Sequence, residues 1–192
     1  STQGYSSAAS DVYKRQLEDQ GMKALIIDVR YNPGGMVTAV VQILDDILPE
    51  GTVVYTEDKN GNRQDYTSGG DTYLDYPLAV LINGESASAS EILAGAVKDY
   101  QYGTLIGTTT FGKGIVQTIF PLEDGDAVKL TTAKYFTPNG NYIHGVGIEP
   151  DIELEYRSYR DYELPQALHD NRIDLAITLG PEIQPDLIIR TV

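Results

Sequence analysis

The sequence predicts an α/β fold, with a core of mixed strands and interleaved helices and with added β-hairpins. Two short apolar runs, Ala24–Val29 and Leu78–Ile82, have the length and composition of buried strands. Each run is followed by a glycine-containing turn and then by a segment that favours a helix. Asn60-Gly61 separates two further strand-like segments and is a strong hairpin signal. Strands that alternate with helices indicate an α/β domain.

The first apolar run leads into a helix. The turn Asn32-Pro33-Gly34-Gly35 follows Ala24–Val29, and the pattern predicts a helix from about Met36 to Leu48, which Pro49 ends. The Asn32–Gly35 turn is therefore predicted to connect the buried strand to this helix.

The second apolar run, Leu78–Ile82, ends at Asn83-Gly84. The small, apolar residues from Ser88 onward predict a helix that packs tightly against a sheet. Three hairpins are also predicted, over 53–68, 120–130 and 133–145, with turns at Asn60-Gly61, Asp124-Gly125 and Asn139-Gly140.

Composition limits the classes of function. The chain has 192 residues, 41% of them hydrophobic, with a net charge of −14 and an isoelectric point near 4.3. It is long enough for one sizeable core, and no apolar run in it would span a membrane. The acidic charge argues against nucleic acid and anionic membrane surfaces as partners. The absence of cysteine excludes disulfides and thiolate catalysis and suits an extracytoplasmic bacterial protein.

No cofactor and no metal site are predicted. The chain has two histidines, His144 and His169, and neither has a triad or metal-binding setting. His144 is expected to be a surface strand residue.

Ser88 is a candidate nucleophile because it opens a predicted helix. The unpaired N–H groups and the positive dipole end of a helix N-terminus favour negative charge on an alkoxide or an oxyanion. The alternative is structural, because Ser88-Ala89-Ser90-Glu91 fits the capping box S-x-x-E, in which the serine only caps the helix. Taken alone, the pattern favours the capping role.

Lys113 is a candidate general base. A serine hydroxyl needs a neighbour to take its proton, and a lysine whose ammonium form is disfavoured by burial can do so. Lys113 lies between two glycines and beside Phe111, with little counter-charge nearby. Taken alone, a lysine in such a setting is most often a solvated loop lysine.

A nucleotide-binding loop is a further alternative, because Gly107–Lys113 matches G-x-x-x-x-G-K. That motif continues with Ser or Thr and a helix. Here Gly114 follows, and Ile115–Phe120 favours a strand.

Five short motifs carry a family resemblance. They are Asp28–Gly35 (DVRYNPGG), Ser86–Ile92 (SASASEI), Phe111–Gln117 (FGKGIVQ), Lys129–Tyr135 (KLTTAKY) and Gly147–Ile152 (GIEPDI). In residue identity and in order along the chain, they resemble the motifs of the C-terminal processing peptidases, also called tail-specific proteases. The resemblance extends from about Leu17 to Glu155, and the interval from Ser88 to Lys113 matches that between the family's nucleophile and base.

The resemblance implies a Clp protease/crotonase-like core with a serine-lysine dyad. By position, Ser88 resembles the nucleophile and Lys113 the general base. Gln117 matches the glutamine that orients the lysine. Asp99 falls where some members have a functionally sensitive aspartate, although a charge near a helix C-terminus is the alternative.

The resemblance also implies an oxyanion hole. The family uses the backbone N–H after the nucleophile, here that of Ala89, and a glycine N–H of the Asn-Pro-Gly-Gly turn. Gly34 is the predicted glycine, with Gly35 as the second candidate. A residue without Cβ lets the backbone approach the scissile carbonyl closely.

The expected organisation has three parts: a leader at 1–16, a peptidase core at 17–156, and a linker and tail at 157–192. A PDZ domain usually precedes the core in this family, and we expect it to be missing from this chain. Residues 1–16 lack the strand and helix expected there, and Asp11–Gln16 resembles a translated transposon sequencing adapter. The leader is therefore expected to be non-native or disordered. No role is predicted for residues 180–192.

Three functions compete. The resemblance implies a serine endopeptidase that cleaves protein or peptide substrates near their C-termini, outside the bacterial cytoplasm. A catalytically silent binding domain on the same fold is the second, because fold does not fix function. Retention of Ser88, Lys113 and Gln117 together argues against it. A nucleotide-binding protein is the third. The sequence leaves the physiological substrate and the oligomeric state open.

Overall fold

The computed structural model describes residues 14–70 and 75–154, together with residues 166, 169 and 170. Residues 14–19 are helical. The elements that follow are β1 (Leu25–Asp28), α1 (Val37–Asp45), β2 (Gly51–Asp58), β3 (Arg63–Ser68), β4 (Leu78–Ile82), α2 (Ala89–Asp99), β5 (Thr104–Gly107), β6 (Ile115–Pro121), β7 (Ala127–Phe136) and β8 (Ile152–Glu153). Mixed strands with interleaved helices confirm the predicted α/β class.

A four-stranded parallel sheet has the order β1-β4-β5-β8. Its centre is apolar, because Val80, Ile82 and Leu105 are completely buried. The carboxyl ends of parallel strands meet at one edge of a sheet. The loops that follow β1, β4 and β5 therefore begin at the same edge, and these loops contain the Asn32–Gly35 turn, Ser88 and Lys113.

Helix α2 is the most buried element among the described residues. Positions 89–97 are all buried, and the helix packs against α1, β2 and β5. Small residues allow this packing: a Cβ added at Gly95 would lie 2.8 Å from the Cγ2 atom of Thr137. The predicted tight packing of this helix is confirmed.

A second, antiparallel sheet has the order β3-β2-β7-β6. The predicted hairpins at Asn60-Gly61 and Asp124-Gly125 are present as β2–β3 and β6–β7. Strand β7 pairs with β2 only over residues 133–136. The outer part of the β6–β7 hairpin, residues 117–131, extends past β2 and is exposed throughout. We call this segment the outer hairpin.

The third predicted hairpin, over 133–145, is largely wrong. Beyond a single bridge between Phe136 and Tyr142, the chain does not continue as a second strand. The reason is that residues 143–147 turn toward the loop before Lys113: the N–H of Gly145 donates to the carbonyl of Gly112 at 2.9 Å, and that of Gly147 donates to Ile143. His144, expected in a surface strand, is exposed but lies in this turn.

The chain divides into two units, Ser1–Leu154 and Glu155–Val192. All elements named above belong to the first unit, whose end lies close to the predicted end of the core at residue 156. Residues 1–13 of the predicted leader and nearly all of the predicted tail lie outside the described residues. Residues 14–16 of the predicted leader belong to a helix, so the expected lack of a helix is wrong at these three residues. For residues 1–13 and for the tail, the expectations stay predictions. Within the described ranges, no helix has the length and apolar character needed to cross a membrane.

Candidate active site

Ser88 occupies the sharp turn between β4 and α2. It is the N-cap of α2 and has φ 57° and ψ −114°, in a region of backbone space that a residue with a Cβ rarely adopts. A conformation of this kind costs on the order of 1–3 kcal/mol and is held only where the surroundings fix it. In α/β-hydrolases, a strained turn between a strand and a helix likewise exposes the serine nucleophile.

The Asn32–Gly35 turn is attached directly to the Ser88 turn. The carbonyl oxygen of Asn32 accepts the N–H of Ala87 and the hydroxyl of Ser90, both at 3.0 Å. Gly34 has φ +91°, and a Cβ built on it would lie 2.5 Å from the Ala87 carbonyl oxygen and 2.7 Å from the Ala89 nitrogen. Gly34 is therefore a position where the close approach of two backbones requires glycine.

Three backbone N–H groups beside Ser88 are candidates for an oxyanion hole, and they differ in their partners. The N–H of Gly34 donates to Oδ1 of Asn32 at 2.9 Å. The N–H groups of Ala89 and Gly35 make no hydrogen bond to any residue that the structure describes. In this conformation the free donors of the site are Ala89 and Gly35.

Lys113 is brought to Ser88 through the side chain of Glu91. The Oε2 atom of Glu91 accepts the backbone N–H of Ser88 at 2.8 Å and that of Lys113 at 2.7 Å. Because both nitrogens contact one oxygen atom, the two residues are neighbours. Lys113 is half-buried. Its Nζ atom and the Ser88 Oγ atom are not hydrogen-bonded to each other in the described structure, and such contacts often tighten only when substrate binds.

The loop that carries Lys113 is also held from its other side. The carbonyl of Gly112 accepts the N–H of Gly145 at 2.9 Å and lies 3.1 Å from Nδ1 of His144. After the lysine, the carbonyl of Gly114 accepts the N–H of Tyr135 in β7 at 2.9 Å. Strand β6 begins at Ile115, so the helix that a nucleotide-binding loop requires after its lysine is not formed.

Gln117 lies in β6, opposite Thr131 and next to an irregularity in the pairing of β6 with β7. It is exposed, and its side chain makes no hydrogen bond to the described part of the chain, Lys113 included. The predicted orienting contact is therefore not formed in this structure.

Asp99 lies at the far end of α2 from Ser88. Eleven residues of α-helix extend about 16 Å. Its carboxylate accepts the N–H of Asn139 at 2.8 Å and the side-chain amide of Asn141 at 3.5 Å. The contacts of Asp99 fix the turn after β7, which favours the structural alternative for this residue.

Two shifted pKa values lie close to the site. The Arg30 guanidinium, which forms two hydrogen bonds with the Asp28 carboxylate, lowers the pKa of that carboxyl. Burial raises the pKa of Tyr135 to about 12. Within the described ranges, no group of three or more histidine or acidic side chains could hold a metal ion.

The sequence patterns treated Glu91 only as part of a capping box and did not single out Thr110. Only the glutamate half of the capping box is formed by a hydrogen bond: the Glu91 carboxylate accepts the N–H of Ser88 at 2.8 Å, whereas the Ser88 side chain makes no capping bond to the described residues. Glu91 is also completely buried and accepts the Thr110 hydroxyl at 2.7 Å. A glutamate at the third position of an otherwise small and apolar helix was the signal available, because a buried carboxylate needs several donors.

Comparison with known proteins identifies relatives of this arrangement. The sequence profile of Peptidase family S41 matches residues 3–154. A "Carboxyl-terminal-processing protease" of Synechocystis sp. is 49% identical over 140 residues, which are 73% of this chain and 33% of that protein. A "C-terminal processing peptidase, chloroplastic" of Tetradesmus obliquus is 36% identical over 94% of this chain and 37% of its own length.

A solved structure of a photosystem II D1 C-terminal processing protease is similar in fold and sequence. It superposes with a TM-score of 0.73 and is 40% identical, over 78% of this chain and 39% of that one. This likeness confirms the predicted fold. The chain spans about one third of the length of the curated relatives it matches.

Proposed function

The chain belongs to Peptidase family S41, and on this premise we propose that it is the catalytic part of a serine endopeptidase that cleaves protein substrates near their C-termini. Ser88 is the proposed nucleophile and Lys113 the proposed general base. One observation carries the proposal: the backbone N–H groups of both residues donate to the same oxygen of Glu91. The relatives named for carboxyl-terminal processing support the substrate class.

In the proposed first step, the neutral amine of Lys113 takes the hydroxyl proton of Ser88 while Oγ attacks the scissile carbonyl carbon. The new C–O bond forms as the carbonyl π electrons move onto oxygen. The tetrahedral intermediate then expels the amine, to which Lys113 returns the proton. Water hydrolyses the acyl-enzyme in the same way, with Lys113 again as base.

The proposed oxyanion hole combines the N–H of Ala89 with one N–H of the glycine turn. Ala89 is supported by its place at the start of α2, where the helix dipole favours negative charge. For the second donor, the free N–H supports Gly35 in this conformation. Gly34 would serve only after its N–H leaves Oδ1 of Asn32.

Two residues are proposed in supporting roles. Gln117 would orient Lys113 once substrate orders the site, since it lies four residues further along the same segment. Asp99 would act at a distance, through the turn that follows β7, because its carboxylate bonds Asn139 and Asn141 in that turn.

The proposed partners are protein substrates, whose C-termini a PDZ domain of a longer protein would bind. We also propose an extracytoplasmic location in a bacterium, which the lack of cysteine supports. The named location of the Tetradesmus relative is the chloroplast.

Labelling with a fluorophosphonate probe tests the dyad. Such a probe forms a covalent bond with an activated serine, and mass spectrometry locates it. We expect one label per chain, on Ser88, and none in Ser88→Ala. Lys113→Ala should slow labelling at least about a thousand-fold, because the two residues act as a unit.

Lys129→Ala is the matched control, since Lys129 is an exposed lysine of the outer hairpin. It should label at the parental rate, and circular dichroism should show all variants folded. A parental chain that takes up no label would indicate the catalytically silent relative. Parental labelling of Lys113→Ala would overturn the lysine base.

A further inference from the structure

We propose that Glu91 is a positioning residue for the Ser88–Lys113 pair. The inference rests on the proposed function and adds a residue to it. Glu91 is the third residue of α2, and its side chain is completely buried. A capping role requires only its bond to the N–H of Ser88, whereas three further donors reach it from the loop that carries Lys113.

The two carboxylate oxygens divide the donors between them. Oε2 accepts the N–H of Ser88 and the N–H of Lys113, at 2.8 and 2.7 Å. Oε1 accepts the N–H of Gly112 at 2.6 Å and the hydroxyl of Thr110 at 2.7 Å. An ionised carboxylate offers about four acceptor positions, so its capacity is filled. A protonated carboxyl group would place its own hydrogen against one of these four donors. The ionised carboxylate can accept from all four.

The charge of Glu91 is balanced by dipoles. None of the ion pairs in the described part of the chain includes Glu91. The N-terminus of α2 and three N–H groups surround it instead, and helix N-termini favour negative charge. The carboxylate therefore attracts backbone donors from two segments and holds those segments together.

This arrangement fixes the two main chains from which the reacting side chains extend. Ser88 and Lys113 come from different loops, and Glu91 is the side chain that bonds both backbones. Misplacing reacting groups by about 1 Å can cost about a hundred-fold in rate. Removing the carboxylate should therefore lower the reactivity of Ser88 even in chains that remain folded.

The test measures the rate constant and the final extent of fluorophosphonate labelling in Glu91→Gln and Glu91→Asp. Loss of folded protein lowers the final extent, whereas loss of positioning lowers the rate constant and leaves the extent at one label per chain. Glu91→Gln keeps the shape but places an amide among donors. Glu91→Asp keeps the charge but is one methylene too short to bond both backbones. We expect about a hundred-fold slower labelling for the first and at least about ten-fold for the second.

Ser68→Ala is the control for a purely structural loss. Ser68 is also buried, and its hydroxyl donates to the Leu48 carbonyl at 3.0 Å, which joins the end of β3 to the segment after α1. Removal of this hydroxyl should lower the urea midpoint of unfolding without changing the labelling rate. If folded Glu91→Asp labels at the parental rate, the positioning role is overturned, whether or not Glu91→Gln folds. If the parental chain takes up no label, the proposed function fails and the inference fails with it.

Discussion

Helix α2 and the outer hairpin differ in how they are held. Residues 89–97 of the helix are buried on every side, whereas residues 117–131 of the hairpin are exposed on both faces. Ser88 begins the buried element, and Lys113 lies two residues before the strand that becomes exposed. The site thus joins a buried part of the fold to a part with little packing of its own.

The difference indicates which interactions position each of the two proposed catalytic residues. Ser88 is fixed by the packing of its helix, which can support a strained backbone. After Lys113 the strand loses such packing from Gln117 onward, and the loop of Lys113 is held by hydrogen bonds with Glu91, Gly145 and Tyr135. Burial positions the proposed nucleophile, and a small set of polar contacts positions the proposed base.

The largest expected effect comes from matched leucine substitutions in the two regions. Leu93 of α2 is 4% exposed and Leu130 of the outer hairpin is 50% exposed. Leu93→Ala leaves a cavity and should cost about 2–5 kcal/mol of the free energy of unfolding. Leu130→Ala should change it by less than about 0.5 kcal/mol. Urea unfolding followed by circular dichroism measures both. Similar losses at the two positions would show that the hairpin is packed as tightly as the helix.

The second prediction concerns the contact between the glycine turn and the Ser88 turn. Gly34 has φ +91° and no room for a Cβ, whereas a Cβ at Gly35 would meet nothing within 4 Å. Gly34→Ala should destabilise the fold by on the order of 1–3 kcal/mol and slow labelling of Ser88, because the two turns must separate.

Gly35→Ala is its control and should change the stability by less than about 0.5 kcal/mol. If Gly34→Ala and Gly35→Ala were equally stable, the close approach of the two turns at Gly34 would not be needed for the fold of the site.

The contrast between local and distant contacts also explains what the sequence could predict. The strands Leu25–Asp28 and Leu78–Ile82 are apolar runs, and the Ser88–Glu91 capping box lies within four residues, so a local pattern reveals each. Strand β5 was not predicted, because only Leu105 and Ile106 in it are strongly apolar and glycines lie on both sides.

The parts of the site that were not predicted depend on contacts between distant segments. Glu91 accepts hydrogen bonds from loop residues 19 to 22 positions further along the chain, and no local pattern encodes that separation. The bond from the Gly34 N–H to Asn32 is local, but the choice between Gly34 and Gly35 as oxyanion donor depends on the conformation of the whole turn. The resemblance supplied Ser88 and Lys113 as candidates, and the fold supplied what connects them.

The smallest expected effect compares the buried and the exposed ends of a single strand, β7. Tyr135 is buried near the inner end of β7, whose other end lies in the outer hairpin. Burial, with a smaller contribution from the charge of Tyr66, raises the pKa of Tyr135 from 10.0 to about 12. Between these two values the unfolded chain has lost the phenolic proton and the folded chain keeps it. The contribution to stability is therefore complete below pH 10 and is lost as the pH rises toward 12.

Tyr135→Phe should remove this part of the alkaline destabilisation. With solvent screening allowed for, the difference from the parental chain should reach about 1 kcal/mol at pH 11 relative to pH 9. Urea unfolding at the two pH values measures it, and Tyr31→Phe, at an exposed tyrosine, controls for the loss of one phenol. If Tyr135→Phe and the parental chain lose the same stability between pH 9 and 11, ionisation of Tyr135 is not coupled to unfolding. The inner end of β7 would then be as open to solvent as the outer hairpin. The exposed region would include Tyr135 and would extend as far as the loop that carries Lys113.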